Sequence, residues 1–373
     1  MSQTRTTGSG GGYGGGSGDR ARRAREGVAL MADSQEFVRL TAPFRRELLV
    51  HCYRILGSAQ DAEDLVQETY LRAWRFYDGF EGRSSLRVWL YRIATSACLT
   101  ALEHRSRRLL PSGLGAAEPT ADRPLTHLPG TAWVQPLPDA LAGLAGGAPD
   151  GDPAAIVAAR SSVRLALAAA LQHLPARQRV VLILRDVLAW RAGEVADLLD
   201  TTVPAVNSAL HRARVQLRDV APTLEASSEP DRADHRALLD RYTAAFENAD
   251  VDTLVKLLHA DVTLEMPPGA TWFAGRDLVG RFLADRVLSG PGVFRMLPVR
   301  ANGQPSVAGY LRGPDGDHHA HAIQVLTVRE GRIASIVSFN QPELFAWFGL
   351  PARLAPVRCG SAAGSAGGSA EEQ

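Results

Sequence analysis

Between Phe37 and Arg108 apolar residues return every three or four positions: Leu48, Leu49, Cys52, Ile55 and Leu56, then Leu65, Tyr70, Leu71 and Trp74, then Leu86, Trp89, Leu90, Ile93 and Ala94. That period is the stripe of an amphipathic helix, and it predicts three or four helices packed on one another over residues 36–109. It returns from Ile156 to Val220, which predicts a second helical module over 156–221. The stretch between them, 110–155, has no sustained period and carries Pro111, Pro119, Pro124, Pro129, Pro136, Pro138, Pro149 and Pro153, so a flexible linker is expected.

Beyond an acidic, Ser-rich joint at 222–235 the texture changes again. Two helix-like runs, Ala237–Leu258 and Arg276–Leu288, precede alternating β-branched segments. The last two, His321–Val328 and Ile333–Phe339, flank Arg329-Glu330-Gly331-Arg332, a hairpin turn. Residues 236–351 therefore read as an α+β domain, and the chain as multidomain: two all-α helical modules followed by an α+β unit. The Gly/Ser-rich ends, 1–35 and 352–373, carry too little apolar surface to offset chain entropy and are expected to be disordered. An arginine cluster, Arg20, Arg22, Arg23 and Arg25, reads either as a nucleic-acid arm or as residues upstream of a second candidate start at Met31.

Composition narrows the class. Of 373 residues, 45% are hydrophobic and 22% charged, with no run near the ~20 apolar residues of a membrane helix. Cys52, Cys98 and Cys359 show neither metal-ligand nor disulfide-framework spacing, and the N-terminal residues lack the apolar core of a secretory signal, so a reducing cytoplasm is expected. The net charge of +1 hides an uneven spread. Residues 37–108 hold twelve arginines against eight acids, 156–220 nine against five, and 233–349 eleven basic groups against thirteen acids. Two basic helical blocks suit a polyanionic partner.

The sharpest local pattern runs from Glu194 to Arg218. A short helix reaches Asp200-Thr-Thr-Val, and a new helix opens with Pro204 behind a Thr202 cap, which is helix-turn-helix grammar. In the second helix Val206, Leu210, Ala213 and Leu217 form the buried stripe, leaving Asn207, Ser208, His211, Arg212, Arg214 and Arg218 outward. Short polar groups near the N-terminus suit base edges, and guanidinium groups further along suit phosphates.

With the preceding Leu174-Pro175-Ala-Arg177-Gln-Arg179-Val-Val-Leu-Ile-Leu-Arg185-Asp186, this run resembles region four of the sigma-70 family, extracytoplasmic-function (ECF) group. The resemblance implies recognition of a minus-thirty-five promoter element. Relatives commonly carry basic residues at the positions of Asn207 and Ala209, so a different element is implied here. Asp61-Ala-Glu63-Asp64-Leu-Val-Gln67-Glu68-Thr-Tyr70-Leu-Arg72-Ala-Trp74 resembles the region-two helix that docks on the polymerase β′ subunit. Its acids also suit the positive end of a helix, so capping alone explains part of the pattern.

Phe80 to Leu99 resembles the segment that captures the unwound minus-ten strand. The chemistry asks for π faces and cations. Trp89 shares the apolar stripe with Leu86 and Ile93, which leaves Arg83, Arg87, Tyr91 and Arg92 as the DNA set; Ser96 and Thr100 depart from the family's usual Asn and Asp. In the linker, Trp133-Val-Gln135-Pro136-Leu-Pro138-Asp139 is similar to relatives that carry an extra C-terminal domain.

Residues 238–351 resemble SnoaL-like domains, α+β cones with a pocket. In sigma factors that carry one, the resemblance implies regulation, with Asn302-Gly303-Gln304-Pro305 as a candidate internal contact. The whole then implies a sigma factor, not an enzyme. It would need no cofactor or metal, partner core RNA polymerase (β′ and β subunits) and promoter DNA, have no membrane role, and admit a small-molecule ligand in the cone. Two alternatives stay open. One is a conventional helix-turn-helix regulator with an effector pocket. The other is a cone enzyme fused to a DNA-binding module, using an acid or base among Asp261, Glu265, Asp285, His319 and His321.

Overall fold

Gly57 ends the first helix, α1 (Arg45–Leu56), because its left-handed φ of 70° lets its N–H close on Tyr53 O. Ser58 then caps α2 (Ala59–Arg75), its Oγ accepting from Asp61 N at 3.1 Å, and Ser85 caps α3 (Leu86–Glu103) through Val88 N. The computed structural model describes residues 35–82, 84–104, 106–144, 160–220 and 232–355. Every residue of α1 from Leu48 to Leu56 is buried, since α2 and α3 cover one side and the second module the other. Residues 35–41 form a further helix that sets Phe37 edge-on against Tyr70, Trp74 and Tyr77.

The second module comprises α4 (Leu165–Leu171), α5 (Ala176–Leu182) with a π-helical turn at Ile183–Val187, α6 (Ala192–Leu198) and α7 (Val203–Val220). Asp200, at φ 50°, turns the chain between α6 and α7, and Thr202 Oγ1 accepts from Ala205 N at 3.3 Å.

The third unit opens with α8 (Arg232–Glu247) and α9 (Val251–Leu257). The single run expected over Ala237–Leu258 is broken where Ala249 adopts a positive φ and Asp250 caps the new helix through Thr253 N at 2.9 Å. Strands β1 (Leu258–Glu265) and β2 (Trp272–Ala274), helix α10 (Arg276–Phe282), then β3 (Phe294–Ala301), β4 (Gln304–Arg312), β5 (His318–Arg329) and β6 (Arg332–Phe339) follow. The sheet order is β2-β1-β6-β5-β4-β3, with β1 parallel to β6 and the other pairs antiparallel. Glu330 and Gly331, both at positive φ, make the tight β5–β6 turn.

Neither face of this sheet is left to water. Val307, Leu326, Ile333 and Ile336 pack under α8, α9 and α10 with Tyr242, Phe273 and Phe282. On the other face Ala308, Tyr310, Ile323, Val325, Val337 and Phe339 belong to the same core as Leu49, Ile55, Leu171 and Val181. The three units thus share a continuous apolar core.

That sharing corrects several expectations. Residues 110–155 were expected as a flexible linker, but their described part, up to Leu144, is laid along the other units by backbone bonds. Gln135 N donates to Gly57 O at 2.9 Å, Asn302 N to Leu137 O at 2.8 Å and Ala270 N to Thr126 O at 2.7 Å. Its prolines confine helix to short turns at Pro111–Gly113 and Asp139–Ala142 without preventing order. Helix α8 begins inside the expected joint 222–235. A seventh strand, β7 (Arg353–Leu354), pairs with β5 inside the expected disordered tail. Gln35 and residues 352–355 are likewise ordered, whereas residues 1–34 with the Arg20–Arg25 cluster, and 356–373, lie outside the described residues.

Candidate nucleic-acid and polymerase interfaces

Helix α7 carries a polar face over an apolar one. Val206, Leu210 and Ala213 are buried, whereas Asn207, Ser208, His211, Arg212, Arg214 and Arg218 are all exposed. Arg214 is bound through both its Nε and Nη2 to Asp186 in the π-helical turn, at 2.9 and 2.6 Å, and this carboxylate raises its pKa. Among the described residues, the exposed His211, Arg212 and Arg218 of α7 form no ion pair with a carboxylate.

On α2 the acids divide. Asp61 is paired with Arg108 at 2.7 Å, Glu63 with Arg45, and Glu68 with Arg72 at 2.7 Å. Asp64 and Gln67 stand exposed, with Gln67 Nε2 3.4 Å from Glu63 Oε1. Beside Gln67 runs an apolar groove of about 640 Å³, lined by Phe37, Val38, Val66, Tyr70, Leu71 and Trp74 among others. Sequence periodicity assigned Leu71 to the core, yet it is 56% exposed on the groove's rim.

The minus-ten set is rearranged. Arg83 lies outside the described residues. Tyr91, expected to face DNA, is fully buried: its ring lies 4.8 Å from His51 and 5.3 Å from Trp190, and its hydroxyl is 3.4 Å from Glu47 Oε2. Trp89, expected in the core, is half-buried against Phe80 at 4.8 Å. The reversal has a physical cause: α3 is wedged between α1 and the second module, so its inner face is the one that meets Trp190. Arg87 holds Glu47 at 2.9–3.0 Å and lies over the Tyr91 ring, while Arg92 Nη2 donates to Asp197 O of α6 at 2.7 Å.

His51 sits behind this cluster, its Nε2 2.9 Å from Thr95 Oγ1. Burial, reinforced by Arg54 and Arg87, brings its pKa from 6.5 down to about 3. A folded-state value below the unfolded one means the unfolded chain takes the proton more readily. The stability is whole above pH 6.5 and is lost as pH falls toward 3, by up to about 1.4 kcal/mol per unit. Melting temperatures recorded from pH 7 to pH 5 should fall, and His51→Gln should flatten that dependence; equal slopes would contradict the assignment.

Asn302 joins four segments. It is fully buried at φ 56°, a conformation Asn tolerates better than most residues. Its Nδ2 donates to Tyr53 Oη and Val163 O, both at 2.7 Å, and its Oδ1 accepts from Leu137 N at 2.9 Å. Gly303 N donates to Asp139 Oδ1 at 2.7 Å, and that carboxylate also pairs with Arg300. Gln304 Oε1 accepts from Leu165 N at 2.9 Å. Pro305 continues into β4 opposite Arg300. Burial pushes the Tyr53 phenol up, so the hydroxyl stays protonated and donates to Gln135 O at 2.8 Å.

The acid–base candidates of the third unit are scattered. Asp261 and Asp285 are exposed, and His319 pairs with Asp315 at 3.0 Å on the rim. Glu265 on β1 is separated by β6 from His321 on β5. Glu265 is buried, which raises its pKa, and its Oε2 accepts from Ser112 N at 2.9 Å. Among the described residues no group of His, Cys, Asp or Glu is placed to hold a metal ion.

The chain matches the family models for Sigma-70 region 2 over residues 40–108, Sigma-70 region 4 over 164–217 and the SnoaL-like domain over 239–336. Curated relatives extend the likeness along the chain. The ECF RNA polymerase sigma factor SigG of Mycobacterium tuberculosis strain H37Rv is 48% identical over 323 residues, 86% of this chain and 85% of the relative. SigJ of the same strain is 32% identical over 313 residues, 81% of this chain and 90% of the relative. The crystal structure of M. tuberculosis SigJ superposes with a TM-score of 0.54 at 27% identity, covering 83% of this chain and 98% of that one. The chain belongs to the ECF RNA polymerase sigma factors. As such it partners core RNA polymerase and promoter DNA and directs transcription initiation, and it is not an enzyme.

Proposed function

We propose that α7 enters the major groove of the minus-thirty-five element, with His211, Arg212 and Arg218 reaching bases and phosphates. In the same reading, α3 with Arg87, Arg92 and the half-buried Trp89 serves the minus-ten strand. The face of α2 from Asp61 to Leu71 meets the β′ subunit, and β supplies a second surface. One observation carries this reading: the α7 face is polar, basic and open, over an apolar stripe that fixes its orientation. The work takes place in the cytoplasm, and no described helix is long and apolar enough to cross a membrane.

The arrangement of α3 and the second module supports a resting form. Arg92 on Asp197 O and Tyr91 on Trp190 hold the minus-ten helix directly against the minus-thirty-five module. The two promoter elements lie about 25 base pairs apart, ~85 Å at ~3.4 Å per pair, so both cannot be read until these modules part. In this reading the cone keeps them closed through the Asn302 loop. It acts as a clamp, with Tyr242, Phe246, Phe273, Phe282 and Phe294 packed in the core beneath its helices.

The test is run-off transcription with core polymerase and purified chain. Arg212→Ala should weaken promoter binding by roughly tenfold and lower the salt slope by about one, with melting unchanged. Unaltered binding would remove Arg212 from the interface.

A further inference from the structure

Residues 110–132 leave region 2 and return to it at one point. Leu109 and Trp133 lie side by side, with Leu109 N donating to Ala132 O and Val134 N to Leu109 O, both at 3.1 Å. The residues between form a closed loop that projects from region 2 onto the cone. It grips the edge of the sheet, where β2 is the outermost strand. Glu118 N donates to Trp272 O at 2.8 Å, Trp272 Nε1 to Gly115 O at 3.0 Å, and Thr126 N to Thr271 Oγ1 at 2.7 Å. Arg286 donates to Ala121 O at 3.2 Å and Arg123 O at 2.6 Å, and Ser112 N reaches Glu265.

The attachment is made mainly of hydrogen bonds, with Ala121 and Leu125 its small apolar contact with the cone's core. Of residues 111–130, Pro111 and Ala121 alone are buried; Leu114 and Leu128 are about 40% exposed, and a cleft of about 230 Å³ stays open between them and Trp272. A segment with so little apolar burial opens at small cost relative to the shared core. Its base is also wired to the polymerase side of region 2. Arg108 donates through Nη1 to Trp133 O at 2.9 Å and through Nη2 to Asp61 Oδ2 at 2.7 Å. Whatever competes for Asp61 at the start of α2 therefore loosens the anchor at the root of the loop.

We propose that loop 110–132 is a releasable handle between region 2 and the cone: docked on the β2 edge in the free chain, and detached when core polymerase takes the α2 face. This rests on the sigma-factor reading and adds to it which contact yields first and why. The occupant of the β2 edge is this chain's own loop, and its departure bares a strand edge and the Glu265 carboxylate.

Hydrogen exchange of the full chain, alone and with core polymerase, tests the idea. The amides of Ser112, Glu118 and Thr126 should be protected in the free chain and exchange at least about tenfold faster in the transcribing complex. Arg286→Gln alters an exposed side chain whose guanidinium covers the outer side of the Phe282 ring and contributes no buried apolar group. It should speed exchange of the same amides by about tenfold without polymerase and raise polymerase binding at limiting chain. Unchanged protection in a complex that makes transcripts, or Arg286→Gln exchange equal to that of the parent, overturns the handle. No complex and no transcript overturns the sigma-factor reading instead.

Discussion

Replacing Asn302 by Ala should open the closed assembly and raise transcription at limiting chain concentration. The side chain is buried and makes three hydrogen bonds, to Tyr53 of α1, Leu137 of the linker and Val163 ahead of α4. Its loss leaves Leu137 N and Val163 O without this partner in a buried site and takes one of the two bonds of the Tyr53 hydroxyl, and alanine is strained at φ 56°. The combined cost is about 3 kcal/mol, which shifts a closed-to-open equilibrium about a hundredfold. Asn302→Gly accommodates the backbone and should open the assembly less. Native-state proteolysis and multi-round transcription measure the two effects. If Asn302→Ala retains the parent's protease resistance and transcript yield, the loop is not a clamp.

Arg179→Met should have the second largest effect, and in the opposite sense for function. This guanidinium is 3% exposed, and burial draws its pKa down to about 10, still charged at neutral pH. It donates to Ile55 O at the end of α1, to Gln172 Oε1 at 2.7 Å, and to the carbonyls of Gln172 and Leu174 at 3.1 Å. Carbonyls that end one helix and turn between two others are thus satisfied by a single side chain. Methionine matches the volume and leaves them all unpaired, at about 2–4 kcal/mol. Because three of these four bonds are internal to region 4, the variant should lower that module's melting temperature and reduce transcription. Parent-like melting would show that water replaces the guanidinium.

The helices were legible because their apolar residues repeat every three to four positions, and the hairpin because Glu330-Gly331 admits positive φ. The polar face of α7 was legible for the same reason: its buried stripe is regular, so the opposite face follows. The Tyr91–Trp89 reversal was not legible, since α3 has apolar neighbours on two sides and the inner face is chosen by Trp190, nearly a hundred residues away. Leu71 fits the same period yet lies on a groove. The order of the linker left no periodic trace because its bonds run from backbone groups to a strand edge and carry no side-chain pattern. Asn302-Gly303 announced a turn, but its four partners lie 139 or more residues away in sequence, beyond what a local motif encodes.

A closed chain that opens on polymerase must carry α7 away from α2. The distance between spin labels on the exposed residues Gln60 of α2 and Asp219 of α7, taken in the free chain and in a transcribing complex with core polymerase, reports that movement. Opening on polymerase gives a short, narrow distribution in the free chain and a separation growing by tens of ångströms in the complex, toward the ~85 Å between the elements. A complex that initiates transcription with the free chain's distances would contradict it.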